Sequence, residues 1–225
     1  MRSNPLHQRV PFARPVTASQ LVVLLALGAV LVTVSHALDR PVYEAMIESP
    51  PGSSDLWGIL RGAGYAPAWI AIAIAMMWTD MGRQLVWPLR SFLTRGTLVM
   101  LSALAGGGLA EVLKIILRRE RPIVSDGRYA FRAWNWESWW VNGNLGLPSS
   151  HAAVAFGAMA MLTILHPRLW FVWLAIGVGC SYQRVATGAH FVSDTALGLV
   201  VGVAAAVLWW NIHTRSRPGD PAYTG

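Results

Sequence analysis

Six long apolar stretches dominate this chain, at about residues 17–38, 62–79, 94–117, 150–165, 169–186 and 191–212. A helix needs roughly 20 apolar residues to cross a bilayer core. Backbone amides and carbonyls in lipid must be bonded internally, so these stretches are expected to be helices. The composition agrees: 54% of the residues are apolar and only 13% are charged. A soluble domain carries about twice that charged fraction. The sequence therefore predicts an all-α polytopic membrane bundle with six spans. It forms a single domain over residues 1–225, with tails at 1–16 and 213–225.

The formal net charge is +7, and the basic residues are almost all arginine; Lys114 is the only lysine. A basic face for nucleic acid is one explanation of such a charge. Here long apolar stretches separate the arginines, so nucleic acid is not expected as a partner. The single cysteine, Cys180, excludes an internal disulfide framework and a multi-thiolate metal site.

An even number of spans puts both termini on one side. Basic residues tie at nine on each side of such a layout, but Arg2, Arg9 and Arg14 precede the first span and favour cytoplasmic termini. The first span carries Ser35-His36-Ala37, which loosely resembles a signal-peptide cleavage site. Its apolar stretch is longer than a usual signal core, so an uncleaved anchor is expected.

Trp87, Trp170, Trp209 and Trp210 lie near predicted span ends, where interfacial belts favour indole rings. Trp134, Trp136, Trp139 and Trp140 sit in the longest loop, about 118–147, which is too polar to span and is expected on the membrane surface. Gly106-Gly107-Gly108, Gly198 and Gly202 suit close helix approach.

Three short constellations carry chemistry. The first is Lys114 followed by Arg121-Pro122. Lys114 and Arg121 are seven apart, so at 3.6 residues per turn they are expected to point nearly the same way, with Glu111 and Arg118 on that face. Ionisable groups at a span edge either serve a site or snorkel to the headgroups, and Arg118 and Arg119 suit snorkelling. The second is Pro148-Ser149-Ser150-His151, where the fourth span starts. Serine caps helices well, and the free amides of a first turn attract anions. An ordinary cap with a bystander histidine has the same appearance. The third is Arg184, Gly188, His190 and Asp194, across the turn between the last two spans. His190 and Asp194, four apart, would share a helix face. A carboxylate on one ring nitrogen fixes the tautomer and frees the other nitrogen to attack. A structural His–Asp pair would read identically.

Six alternating spans bring all three constellations out on one face, which no single motif required. Together they offer three cations, helix-start amides, two histidines and an aspartate. Cations and amides suit a phosphate, and two histidines suit a nucleophile and a general acid.

These residues resemble the type-2 phosphatidic acid phosphatase family of membrane lipid phosphatases. Its pattern, K-x6-RP, PSGH and SR-x5-H-x3-D, appears as Lys114 with Arg121-Pro122, as Pro148 to His151, and as Gln183-Arg184 with His190 and Asp194. The motifs cover residues 114–194, and the six-span layout extends the likeness along the chain. The resemblance implies that His190 forms a phosphohistidine, Asp194 orients it, and His151 serves as general acid and then base. Lys114, Arg121, Arg184, Ser149 and Ser150 would hold the phosphate. It also implies that no metal or other cofactor is needed, since three fixed cations stabilise the developing charge. Two positions depart from the pattern: Ser150 replaces Gly, adding a side chain in the pocket, and Gln183 replaces Ser, losing a hydroxyl. The soluble haloperoxidases carry similar motifs, but six spans set this chain apart.

With cytoplasmic termini, the site of a bacterial inner-membrane protein faces the periplasm. Setting aside Lys114, Arg121 and Arg184 as fixed by chemistry turns the orientation tie into nine against six, nine less three. The implied substrate is a lipid phosphomonoester or diphosphate among membrane lipids. Undecaprenyl diphosphate, phosphatidic acid, phosphatidylglycerol phosphate and lipid A phosphates are the candidates. A lipid phosphotransferase, or a non-catalytic binder or transporter of lipid phosphates, would use the same anion site. The oligomeric state is left open.

Overall fold

The computed structural model of the chain describes residues 14–48, 55–81, 94–136, 140–141 and 143–215. Trp87, Trp139, residues 1–13 and 216–225 of the outer tails and several of the counted arginines, Arg2, Arg9, Arg83, Arg90 and Arg217, lie outside the described residues.

The helices, in chain order, are α1 (Ala18–Glu48), α2 (Asp55–Gly62), α3 (Ala66–Met81), α4 (Arg95–Leu117), α5 (Pro122–Ser125), α6 (Ser150–Leu165), α7 (Trp170–Ala186) and α8 (Val192–Arg215). Thr94 caps α4 by accepting from the Thr97 amide at 3.2 Å. Three of them, α1, α4 and α8, are long and apolar enough to cross a membrane. The pair α2–α3, bent by 69°, makes a fourth if read as one broken span. Six full spans are not established, because the fourth and fifth expected spans fall on α6 and α7, which have only 16 and 17 residues. At 1.5 Å per residue they reach about 25 Å, short of a core of about 30 Å.

The element α6 is the centre of the bundle, packed against α4, α7 and α8 and buried along most of its length. Its small residues Ala152, Ala153, Ala155, Gly157 and Ala158 let the neighbours approach. A Cβ built on Gly202 would lie 2.5 Å from the Ala153 carbonyl oxygen and 2.6 Å from the Gly157 amide, so glycine is required there. Gly106 and Gly198 meet α6 backbone in the same way, at 2.7 Å and 2.6 Å. Gly108, expected to pack with them, instead faces open space.

At one end of the bundle the start of the described chain is tied to the end of α8. The Val16 amide donates to Asn211 Oδ1 at 2.7 Å, and Trp210 Nε1 donates to the Arg14 carbonyl at 3.2 Å. Trp210 is therefore a buried core residue and not a belt residue, whereas Trp170 is exposed. From this end α1 runs antiparallel to α8, presenting Val22, Leu27 and Val30 outward as a lipid face. Its 31 residues extend about 46 Å. It therefore overshoots the apolar layer and carries His36 and Asp39 to the far end of the bundle.

Candidate active site

The candidate residues gather at that far end. Where α4 stops, Arg118 adopts a left-handed backbone (φ 53°) and its amide donates to the Lys114 carbonyl at 2.9 Å. The helix therefore does not continue to Arg121, and the shared-face argument for Lys114 and Arg121 fails. Arg121 is placed instead by backbone pairing within the long loop. Its amide donates to the Asn144 carbonyl at 2.9 Å, the Gly146 amide donates to the Arg119 carbonyl at 2.7 Å, and its own Nε reaches the Leu145 carbonyl at 3.4 Å. It lies near enough to Lys114 and Arg184 for the charges to act on one another.

Lys114 is almost fully buried, and its Nζ donates to Glu111 Oε1 at 2.7 Å. It also donates to the Ser150 hydroxyl, which in turn donates to Glu111. The departure at Ser150 thus has a concrete role in this structure: its hydroxyl links the lysine to the acid. Glu111 was placed on the Lys114 face by sequence spacing, and the structure agrees.

Ser149, fully buried, is the N-cap of α6. Its hydroxyl accepts from the Ala152 amide at 3.4 Å, and its own amide donates to the Asp194 carbonyl at 2.9 Å. This pins the second constellation to the third. His151, in the first turn of α6, packs against the α2–α3 corner: a Cβ on Gly64 would lie 2.6 Å from its own Cβ, and the Tyr65 ring lies 6.5 Å away. Its Nε2 is buried with no hydrogen-bond partner among the described residues.

Arg184 ends α7, and Gly188 (φ +65°) makes the turn into α8. His190 precedes α8, which starts at Val192, so His190 and Asp194 do not share a helix face. They meet across the helix start, with His190 Nδ1 3.4 Å from Asp194 Oδ2. That oxygen also accepts from the Phe191 amide at 2.8 Å. Both side chains are buried. Burial, with the charges of Arg184 and Lys114, holds His190 down at about 4, against the pull of Asp194. The imidazole is therefore neutral at ordinary pH, the form a nucleophile needs. Gln183, one residue before Arg184, is buried with Oε1 unpartnered among the described residues.

Sequence reading missed Arg119. Assigned to snorkelling, it is only 1% exposed, and its Nη2 donates to Asp194 Oδ1 and, at 2.7 Å, to Ser193 Oγ. Asp39 of α1 stands behind it, 4.0 Å from Nη1. The polar residues at the end of the first span were the only signal, and they read equally well as a span edge. Arg118 is likewise buried, with Trp134 stacked 5.1 Å from its guanidinium carbon. Among the described residues, no group of three or more His, Cys, Asp or Glu residues is arranged to hold a metal.

Comparison with known proteins gives the family and the fold. The family model of the PAP2 superfamily matches residues 95–218. The lipid A 1-phosphatase of Rhizobium etli is 25% identical over 191 residues, covering 80% of this chain and 81% of that protein. The bacitracin transport permease protein BcrC of Bacillus licheniformis is 26% identical over 65 residues, 28% of this chain and 32% of that protein. Among solved structures, the transmembrane PAP2-type phosphatidylglycerolphosphate phosphatase of Bacillus subtilis superposes with a TM-score of 0.61 at 18% identity. That match covers 88% of this chain and 98% of that one, and it establishes the shared fold.

Proposed function

We propose, from the premise that this chain belongs to the PAP2 superfamily, that it is a membrane lipid phosphatase working through a phosphohistidine on His190. The observation that carries the reading is the convergence of the three motifs on the buried His190–Asp194 pair. In the proposed reaction His190 Nε2 attacks phosphorus while the bond from phosphorus to the leaving oxygen breaks. His151 donates a proton to that oxygen, and Asp194 stabilises the positive phosphoimidazole. Water then attacks, His151 takes its proton, the P–N bond breaks and inorganic phosphate leaves. Lys114, Arg121 and Arg184, with amides near Ser149 and Ser150, hold the oxygens on which charge develops. No step needs a metal.

The substrate in this reading is a lipid phosphomonoester or diphosphate. Lipid A 1-phosphate is the first to test, because the Rhizobium etli relative aligns over most of both chains. The reading includes a single six-span domain in a bacterial inner membrane. Both termini are cytoplasmic and the site opens to the periplasmic leaflet, where lipid headgroups are within reach.

Phosphate release from a panel of lipid phosphates in detergent, by wild type and His190→Ala, tests the assignment. Release by wild type and its loss in the variant, with excess chelator present, is the expected result. Full activity in the variant overturns it. Phosphate appearing only on a lipid acceptor would indicate transfer, and binding without release would indicate a carrier. A fluorescent-protein fusion at the C-terminus should fluoresce in cells, and a dark fusion beside an active alkaline phosphatase fusion would reverse the orientation.

A further inference from the structure

The nucleophile's carboxylate is itself held by a second, deeper network that the three motifs do not include. Arg119 lies between two buried carboxylates, Asp194 on one side and Asp39 on the other. Ser193 bridges them: its hydroxyl accepts from Arg119 at 2.7 Å and donates to Asp39, and its amide donates to Asp39 Oδ1 at 2.8 Å. The arginine is clamped between rings, its guanidinium carbon 5.0 Å from the Tyr129 centroid and 5.1 Å from that of Phe191. Tyr129 closes the network by donating to Asp39 Oδ2 at 2.7 Å. Burial and Asp39 push that phenol up to about 12, so it remains a donor throughout the working range.

A buried charge with partners on both sides is costly to assemble and costly to break. This one reaches from α1, the helix that alone would be only an anchor, to the residue that orients the nucleophile. We propose that Arg119 and Asp39 are positioning residues: they fix the rotamer and charge of Asp194, and through it the orientation and proton affinity of His190. The inference rests on the phosphohistidine reading above. The cluster of two carboxylates and one guanidinium has net charge −1 (+1 − 2). His190 faces it through Asp194. It also faces Lys114 of α4, His151 of α6 and Arg184 of α7, while Tyr129 covers the Asp39 side.

The test follows from charge. Arg119→Gln makes the cluster −2, which favours the imidazolium and moves the acid limb of kcat/KM upward by about one pH unit. Asp39→Asn makes it neutral and moves the limb downward, so this variant keeps more of its plateau activity at pH 4. The double variant returns to −1, and its limb returns towards wild type. Phosphate release from a short-chain phosphatidic acid in micelles, by the full-length chain, measures all three. In each, kcat should fall by about tenfold or more while KM stays within about threefold, because the phosphate-holding cations are untouched. Arg119→Lys should recover most of kcat.

A purely structural role lowers folded yield or kcat without moving the limb in opposite directions. Unshifted limbs in Arg119→Gln and Asp39→Asn, beside an inactive His190→Ala, overturn this proposal and leave the phosphohistidine reading standing. An active His190→Ala overturns that reading itself. If Arg119→Gln does not fold, Asp39→Asn and Arg119→Lys decide the matter by the same limb and the same recovery.

Discussion

At the scale of single residues, Glu111 is the group whose role is least expected. Its carboxylate accepts from Lys114 at 2.7 Å and from Ser150 where the reading above places substrate phosphate. A carboxylate there competes with phosphate for the same lysine. Glu111→Gln should therefore strengthen inhibition by inorganic phosphate, lowering its inhibition constant by about tenfold, since a charge-assisted contact is worth about 1.5–3 kcal/mol. An unchanged or weaker inhibition constant would mean that Glu111 holds Lys114 in place and does not compete. The residue scale also supplies the pH behaviour. His190 sits at about 4 when folded against 6.5 in the unfolded chain. Between those values the unfolded chain binds the extra proton, so stability is full above pH 6.5 and declines as pH falls towards 4. Melting in detergent across that window should show this slope, and His190→Gln should flatten it.

At the scale of elements, the site depends on how closely α4 and α8 press on α6. Gly202 and Gly198 face α6 backbone, so a branched side chain there pushes the helix starts apart and moves His190 away from Ser149 and His151. Gly202→Val should lower the melting temperature in detergent by several degrees, for a cost of about 1–3 kcal/mol, and should reduce phosphate release more than the stability loss explains. Gly108→Ala is the matched control: nothing lies within 4 Å of its added carbon, so it should melt as wild type does or slightly higher. Gly188→Ala tests the turn instead. Its φ of +65° disfavours any side chain, and a cost of about 1 kcal/mol is expected.

At the scale of the whole molecule, the bundle has two polar ends with different tasks. One ties Val16 to Asn211 and Arg14 to Trp210, holding the first and last helices together. The other collects the basic motif residues and the buried Asp39–Arg119–Asp194 network. If the second end is an anion site, binding there stabilises the fold by mass action. Inorganic phosphate at 100 times its dissociation constant should add about 2.7 kcal/mol and raise the melting temperature. Lys114→Ala should abolish that rise, and a rise that survives the substitution would place the anion elsewhere.

The sequence by itself determined the helical membrane class, the starts and ends of α4, α6 and α8 to within a few residues, and the motif residues. Apolar length, helix caps and fixed spacings are local properties, and a single chain displays them directly. It did not determine that α4 stops before Arg121, that His190 stands outside α8, or that Trp210 is core. Each depends on what the neighbouring elements press against. Only the tertiary structure decided the partner of Arg119, because Asp39 lies 80 residues before it and Asp194 lies 75 residues after it. A charge at a span edge has the same local sequence whether it meets headgroups or buried carboxylates. Burial between helices distant in the chain makes the difference, and that is a property of packing.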